Sequence, residues 1–432
     1  VILSVKKKKK SSPWKVFLAI ILAIIIGSLL GRDASLWGIS FYAVFDVIGT
    51  IFLNALMLVV VPLVSSSIIS GISRIGSEGG FGRLGAKMFT FYLGTSLLAI
   101  LIGLFYVNLI SPGLSHHLTP TVEIADSALK QSLEHHQTAQ AFIQVIISIV
   151  PPNIFGALAR GEMLSLIFFS LLFGFCLSNV SKQSSAVLQD FFKAVFDTMI
   201  QVTHFVMKFL PYGVFCLIAK VFMTSGLESI SSLVLFTLTV LSGLLTFVLI
   251  GLPLLLRFVA KVNPLYHFKA MAPALVTAFS TSSSSATLPI TLNCVEKRSG
   301  VSNRIASIVI PLGTSINMSG SALYECVAAM FVAQVYGIDL SFWTQLTIVM
   351  MALISSIGVA GIPSASLVAV LIILKVVGLP AEGIGLFIAV DRILDMCRTT
   401  VNVFSDSCCA VLVAKSEGEK NVLTTDQFEE EA

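Results

Sequence analysis

The chain has 432 residues, of which 56% are hydrophobic and 12% charged, and its mean hydropathy of +0.95 excludes an ordinary soluble domain and points to a membrane protein. A formal net charge of +4 is too small to suggest a nucleic-acid partner, and the basic residues fall between apolar runs, where they report topology. Seven cysteines, Cys176, Cys216, Cys294, Cys326, Cys397, Cys408 and Cys409, lie in apolar segments without zinc or secreted-disulfide spacing and are expected to be buried thiols.

A basic run at residues 6–10 precedes the first apolar segment, as in a signal peptide, but no small-residue cleavage site follows Ile26. The expectation is a retained first span, opened by Pro13 and running to about Leu30, with those lysines cytoplasmic. Charge-free runs at 47–73, 88–114, 163–181 and 230–256 are each long enough to cross a bilayer, which takes about 20 residues. Arg74, Arg83 and Lys87 mark a cytoplasmic loop after the second span, and the third ends near Ser111-Pro112-Gly113. The loop beyond it, with His116, His117, Glu123, Asp126, Glu134, His135 and His136, is expected outside, and its histidines match no metal-ligand spacing. The fourth span is broken by Pro151-Pro152-Asn153 and Arg160-Gly161-Glu162 and crosses inward to Ser181, with Lys182 and Lys193 inside. The fifth carries Asp197, His204 and Lys208 and an expected kink at Pro211-Tyr212-Gly213. Glu228 then lies outside, and the sixth span ends inside at Arg257 and Lys261.

Past this point simple crossings fail. The charge-free run 270–295 holds five consecutive hydroxyl residues after Ser280, with Lys269 before it and Lys297, Arg298 and Arg304 after it. A single crossing would strand a basic cluster outside, so a re-entrant hairpin with the serines at its tip fits better. A seventh span from Ile305 is interrupted at Asn317-Met318-Ser319-Gly320, resumes through Glu325 and ends outside at Gly337-Ile338-Asp339. The run 340–374 carries no charge, exceeds one crossing and contains the break SSIGVAGIPSAS, which predicts a second hairpin entering from outside and returning there, to Glu382. The final helix brings Lys415 and Lys420 inside. Its stretch DRILDMCRTTVNVFSD sets Asp391, Asp395, Arg398, Asn402 and Asp406 within roughly 80° of arc on one face. Ionisable groups at bilayer depth are costly and mark substrate or ion paths. Asp395 and Arg398 could form a structural pair, being three residues apart, but that leaves Asp391, Asn402 and Asp406 unexplained. Irregular backbone at this depth is tolerated where protein buries it or a cavity is lined by it, so three breaks beside one polar face suggest a shared midplane site. Serine, glycine and proline also occur at plain helix-packing surfaces, and one break alone would be weak.

The sequences SSSATLP (283–289), INMSGSALYE (316–325), SIGVAGIP (356–363) and DRILDMCRTTVNV (391–403), in this order, resemble the dicarboxylate/amino acid:cation symporter family, which includes glutamate and aspartate transporters. The resemblance spans essentially the whole chain and is identified as that of a bacterial-type member. It implies an all-α membrane fold of eight transmembrane helices and two re-entrant helical hairpins. Residues 1–260 would form mainly a scaffold and trimerisation region, with helices 3 and 6 joining the transport domain. Residues 261–415 would form the transport core and 416–432 a cytoplasmic tail. The implied assembly is a homotrimer working by alternating access in a bacterial inner membrane, both termini cytoplasmic, with membrane lipid around it.

By matching position, the resemblance assigns Arg398 to a substrate side-chain carboxylate, for which planar bidentate recognition is suited. It assigns Asp395 to the substrate ammonium, and Thr399, Asn402 and Ser321 to substrate hydrogen bonds. Ser283 and Ser284 at the first tip and Ala360, Gly361 and Ile362 at the second would enclose the ligand. Sodium would be taken by Asp406 with Asn402, Gly313 and Asn317, and by Ser315 with Ser356, Ile357 and Val359; carboxylate and carbonyl oxygens suit a hard cation. In a third set Tyr92, Thr95, Ser96 and Asn317 match, but Ser319 stands where the family has an aspartate, which removes the anionic ligand. Glu325 aligns with the family's proton carrier, and desolvation lets a buried carboxyl load and release protons. An arginine that relatives place at the first tip or in the last helix is absent from both places, which hold Ser282 and Met396.

The expected function is uptake of glutamate or aspartate with protons, sodium or both; no organic cofactor and no enzymatic activity are implied. A proton-coupled C4-dicarboxylate carrier is disfavoured by Asp395, whose charge would repel a substrate lacking an ammonium. A neutral amino-acid carrier would leave Arg398 unpaired. An intramembrane serine hydrolase lacks a base beside Ser283 or Ser284, the nearest histidine being His267. A channel suits a zwitterion enclosed between closing tips less well than stepwise exchange does.

Overall fold

The computed structural model describes residues 14–31, 34–36, 39–75, 81–114, 143–144, 146–160, 162–177, 179–225, 229–358 and 365–424. These are almost wholly helical; a two-stranded antiparallel ribbon, β1 (Ser35–Leu36) and β2 (Ile39–Ser40), turns the chain between the first helices. Among the described residues four helices are long and apolar enough to cross a membrane: Arg83–Ile110, Lys182–Lys220, Ser231–Phe258 and Asn303–Val335. Such spans satisfy every backbone polar group internally, which is what hydrocarbon demands.

Two groups of helices pack mostly within themselves. In the first, α1 (Trp14–Leu30) and α2 (Phe41–Ile75) meet α7 (Leu210–Ser225), and α2 also holds α5 (Met163–Leu177) and α6 (Lys182–Val206). The short α4 (Ile154–Arg160) leads into α5, its first turn capped by Asn153 Oδ1, which accepts from Phe155 N at 3.0 Å. Small residues set the close crossings: a Cβ on Gly27 of α1 would stand 2.7 Å from the Ala219 carbonyl of α7. The turn expected at Pro211 lies earlier, at Met207–Phe209. Pro211 sits in the first turn of α7, where a missing N–H costs nothing.

The second group centres on α13 (Ser319–Val335), on which every residue but Gln334 is buried. Around it pack α3 (Phe81–Ile110), α8 (Ser229–Thr246), α14 (Phe342–Gly358), α15 (Ala365–Val377) and α16 (Ile388–Ser416). Gly103 of α3 permits the approach, since a Cβ there would lie 2.9 Å from Leu323 Cγ. A π-turn at Phe247–Gly251 joins α8 to α9 (Leu252–Phe258). Then α10 (Pro264–Thr281) and α11 (Ser284–Asn293) pack on each other and on α16, and α12 (Asn303–Ile316) leads to α13 across a two-residue break at Asn317 and Met318.

The outward faces are apolar, with Leu29, Leu58, Phe105, Leu109, Phe175 and Phe258 all more than half exposed. In water such a surface would be unstable; in lipid it is the ordinary exterior. Of the cysteines, all free, Cys216, Cys294, Cys326, Cys408 and Cys409 are buried, Cys397 is half-buried and Cys176 is exposed. Cys176 thus departs from the expectation because it shares the outward face of α5 with Phe175. At the end carrying the basic loops, the segment after α16 folds back: Glu419 accepts from the backbone N–H (3.1 Å) and hydroxyl of Ser302 ahead of α12, and Leu423 N donates to Ser299 O at 3.0 Å.

Candidate functional site

The polar face of α16 points into the second group and is satisfied there. Arg398 is wholly buried, and both terminal nitrogens donate to Asp391 Oδ1 at 2.9 Å, one of them also to Asp395 Oδ1 at 3.1 Å. Positions seven and three residues earlier on a helix share its face, which is why one side chain reaches both. Tyr324 of α13 donates its hydroxyl to Asp391 Oδ1 at 3.0 Å, and its ring lies 3.7 Å from the guanidinium carbon. A desolvated cation over an aromatic face gains about 2 kcal/mol. Arg398 Nε has no partner, a buried donor left over. Arg392 Nη1 approaches Asp395 Oδ2 at 3.7 Å. The main partner of Arg398 is therefore Asp391, to which sequence reasoning gave no role; its place on the polar face was the available signal. Tyr324 lay inside the INMSGSALYE stretch without a polar periodicity to single it out.

One turn further, Asn402 Oδ1 accepts from Gly320 N at 2.8 Å and Ser321 N at 3.3 Å, and its amide donates to Ser321 Oγ at 3.1 Å. These are orphan N–H groups at the start of α13, so Asn402 ties the break to α16. Thr399 is buried beside it. Asp406 is also buried and accepts from Asn317 Nδ2 at 2.9 Å. The crossing of α12 and α16 is close enough that a Cβ on Gly313 would stand 2.5 Å from Asp406 Oδ1. Asn317 Oδ1 in turn accepts from Thr95 (3.2 Å), Ser96 (3.4 Å) and Ser319 (3.0 Å). Ser319 and Ser405 exchange a hydrogen bond at 3.1 Å. Thr95, Ser96, Asn317 and Ser319 thus form a hydroxyl and amide network, while Tyr92 spends its hydroxyl on the Val309 carbonyl at 2.5 Å.

At the first break, Ser282 takes a left-handed conformation (φ 50°, ψ 36°) that ends α10, and Ser283 Oγ accepts from Ala286 N at 3.2 Å to start α11. Ser284 is buried just after it. The hydroxyl run therefore builds the turn itself, with Thr287 Oγ1 donating to Ser283 O at 2.9 Å. Ser315 is half-buried near the end of α12, and on α14 Ile357 is buried while Ser356 Oγ donates to Leu353 O at 2.8 Å. Val359, Ala360, Gly361 and Ile362 lie outside the described residues, as do the histidines expected in the external loop. Glu325 is wholly buried on α13; Ser355 donates to its Oε2, and its Oε1 has no partner. His267 bonds Ser407 Oγ at 2.9 Å and Ser299 Oγ at 3.4 Å, so its ring nitrogens are committed to serines other than those of the first break. Among the described residues no group of three or more His, Cys, Asp or Glu could hold a metal ion.

Comparison with known proteins finds relatives that match nearly the full length of the chain. The chain is 35% identical over 422 residues to the proton/sodium-glutamate symport protein of Bacillus caldotenax, covering 96% of each. It is 35% identical over 415 residues to the proton/glutamate-aspartate symporter of Escherichia coli (strain K12), covering 95% of this chain and 94% of that one. It is also 35% identical over 441 residues to excitatory amino acid transporter 3 of Mus musculus, covering 92% and 84%. The model of the sodium:dicarboxylate symporter family matches residues 13–416, and with that the chain belongs to the sodium:dicarboxylate symporter family.

Proposed function

We propose that the chain is a secondary symporter that takes up glutamate or aspartate together with protons, sodium or both. The observation that carries this reading is Arg398, a buried cation with two carboxylate partners and one unpartnered donor. A substrate side-chain carboxylate can take over hydrogen bonds that Asp391 and Asp395 now make, at little net desolvation cost, because one anion replaces another. Asp395, so released, accepts from the substrate ammonium, and Thr399, Asn402 and Ser321 border the same space. The turn at Ser283 and Ser284 serves as one gate, and the sequence around Ala360, Gly361 and Ile362 as the other. Asp406 with Gly313, Asn317 and Asn402 takes one sodium; Ser315, Ser356, Ile357 and Val359 take another. With Ser319 in place of an aspartate, Tyr92, Thr95 and Ser96 contribute hydrogen bonds rather than a third charged site. Glu325 carries the proton.

The same reading makes α10 and α11 one re-entrant hairpin and α14 and α15 the other, within eight spans. Residues 261–415, with α3 and α8, then move as a transport core against a scaffold drawn from 1–260, in a homotrimer in a bacterial plasma membrane. Coupled transport rather than enzymatic turnover is its work.

A second reading, a C4-dicarboxylate carrier, draws on one observation. Asp395 is itself paired with Arg392 and Arg398, so its charge does not by itself repel a substrate lacking an ammonium. Uptake of labelled aspartate into proteoliposomes, with sodium and proton gradients imposed separately and succinate as competitor, tests both. Aspartate accumulation driven by either gradient and indifferent to succinate supports the amino-acid reading; efficient displacement by succinate favours the second. Uptake indifferent to sodium removes the cation role given to Asp406.

A further inference from the structure

Ser355 stands on α14 where that helix faces α13, and it is nearly as buried as Glu325. Its hydroxyl lies between two oxygens: Glu325 Oε2 and, at 3.2 Å, the carbonyl of Ala352 one turn back on its own helix. A hydroxyl has one proton to give and two lone pairs to receive with. When Glu325 is protonated, its own O–H can donate to Ser355 Oγ, and Ser355 gives its proton to Ala352 O, so that both of the hydroxyl's contacts are kept. When Glu325 is ionised it needs a donor, and because Oε1 has none, Ser355 must turn its single proton to the carboxylate and release the Ala352 carbonyl. The direction of this one hydroxyl thus follows the charge of Glu325.

We propose that Ser355 is a positioning residue for proton coupling, whose hydroxyl transmits the protonation state of Glu325 to α14. The proposal rests on Glu325 as the proton carrier. It adds the element that responds, the helix that two residues later carries Ile357 and ends at Gly358. The groups that act electrostatically around Glu325 are Arg398 from α16 and Cys326 beside it, with Asp391 and Asp395 compensating Arg398. Neither α8 nor α14 carries a titratable residue; α15 has Lys375 in its last turn, and α3 has Tyr92 and Tyr106 with Arg83 and Lys87 at its start.

The test is glutamate uptake into proteoliposomes across pH at fixed sodium, and across sodium at fixed pH, for Ser355→Ala, Ser355→Thr and Glu325→Gln. Removing the hydroxyl takes from the carboxylate the one side-chain donor that the described residues give it, but only an acceptor from the acid, and hydrogen bonds to charged groups are the stronger. The alkaline fall in Ser355→Ala uptake is therefore expected about one pH unit higher, with sodium activation unchanged. Ser355→Thr, which keeps the hydroxyl, should return the profile most of the way, and Glu325→Gln should abolish it. Should the alanine variant not reach the membrane, Ser355→Cys keeps the volume, weakens the donor and reads the same shift. A wild-type pH profile without the hydroxyl, while Glu325→Gln loses its pH dependence, overturns the role of Ser355. So does a change confined to sodium activation, which would assign Ser355 to the neighbouring Ser356. Proton-driven accumulation persisting in Glu325→Gln instead overturns the carrier reading beneath it.

Discussion

The two halves of α16 bury carboxylates in opposite company. Toward its start, Asp391 and Asp395 share the Arg398 guanidinium, and Asp391 also accepts from the Tyr324 hydroxyl. Toward its end, Asp406 has an amide at 2.9 Å, and among the described residues no lysine, arginine or histidine forms an ion pair with it. An anion buried beside neutral dipoles retains a strong field for a small cation, whereas a cation already caged by anions can accept a new anion only by exchange. On the proposed reading, one helix presents both signs of recognition about two turns apart, and the charge of each ligand follows from what is already paired.

The largest test of that contrast is Arg398→Cys. Truncating one partner of a buried charge pair costs 2–5 kcal/mol or more, so acidic-substrate uptake should fall about 100-fold or further, with neutral amino acids entering in its place. Unchanged glutamate affinity would remove Arg398 from the substrate. Next comes Asp406→Asn, which keeps the shape and deletes the charge: sodium activation should weaken at least about tenfold, or ~1.4 kcal/mol, while substrate affinity at saturating sodium holds. Equal sodium curves for variant and wild type would erase the distinction between the halves. A smaller effect is expected from Tyr324→Phe, which leaves the ring under the guanidinium and removes the bond to Asp391; one hydrogen bond to a charged group predicts a change in substrate affinity of about tenfold. Because Asp391 then depends more heavily on Arg398, releasing the guanidinium costs more and the expected direction is weaker substrate binding, read by isothermal titration in detergent.

The smallest effect lies outside the membrane. Lys87 Nζ of α3 lies 2.5 Å from Glu417 Oε1 just past α16, with Arg83 at 3.9 Å, and the hydrogen bond from Lys87 holds the Glu417 carboxyl below its usual range. A depressed carboxylate contributes stability above its unfolded value, near 4.5, and loses it as pH falls through the lower folded value. Thermal melting of wild type and Glu417→Gln should therefore differ slightly at neutral pH and converge in acid. A difference that grows on acidification contradicts the pairing.

Much of the architecture is written locally. Apolar runs of about 20 residues specify helices in lipid wherever they occur, and hydroxyl, glycine and proline runs specify where helices stop, as at Ser282 and at Asn317. The polar stripe from Asp391 to Asp406 needs no tertiary information either, because 100° per residue places it. The sequence also carries the family, through stretches in α11, α13, α14 and α16. Partners are a different matter. Asp391 and Asp395 both lie on the face of Arg398, and nothing in the spacing says that Asp391 takes two of the three hydrogen bonds. Tyr324 and Ser355 enter from other places along the chain with no periodicity of their own, and their roles exist only because α13 is enclosed on all sides. Angular position on a helix is a property of the backbone repeat; which side chain meets it from across the gap depends on how several helices settle against one another.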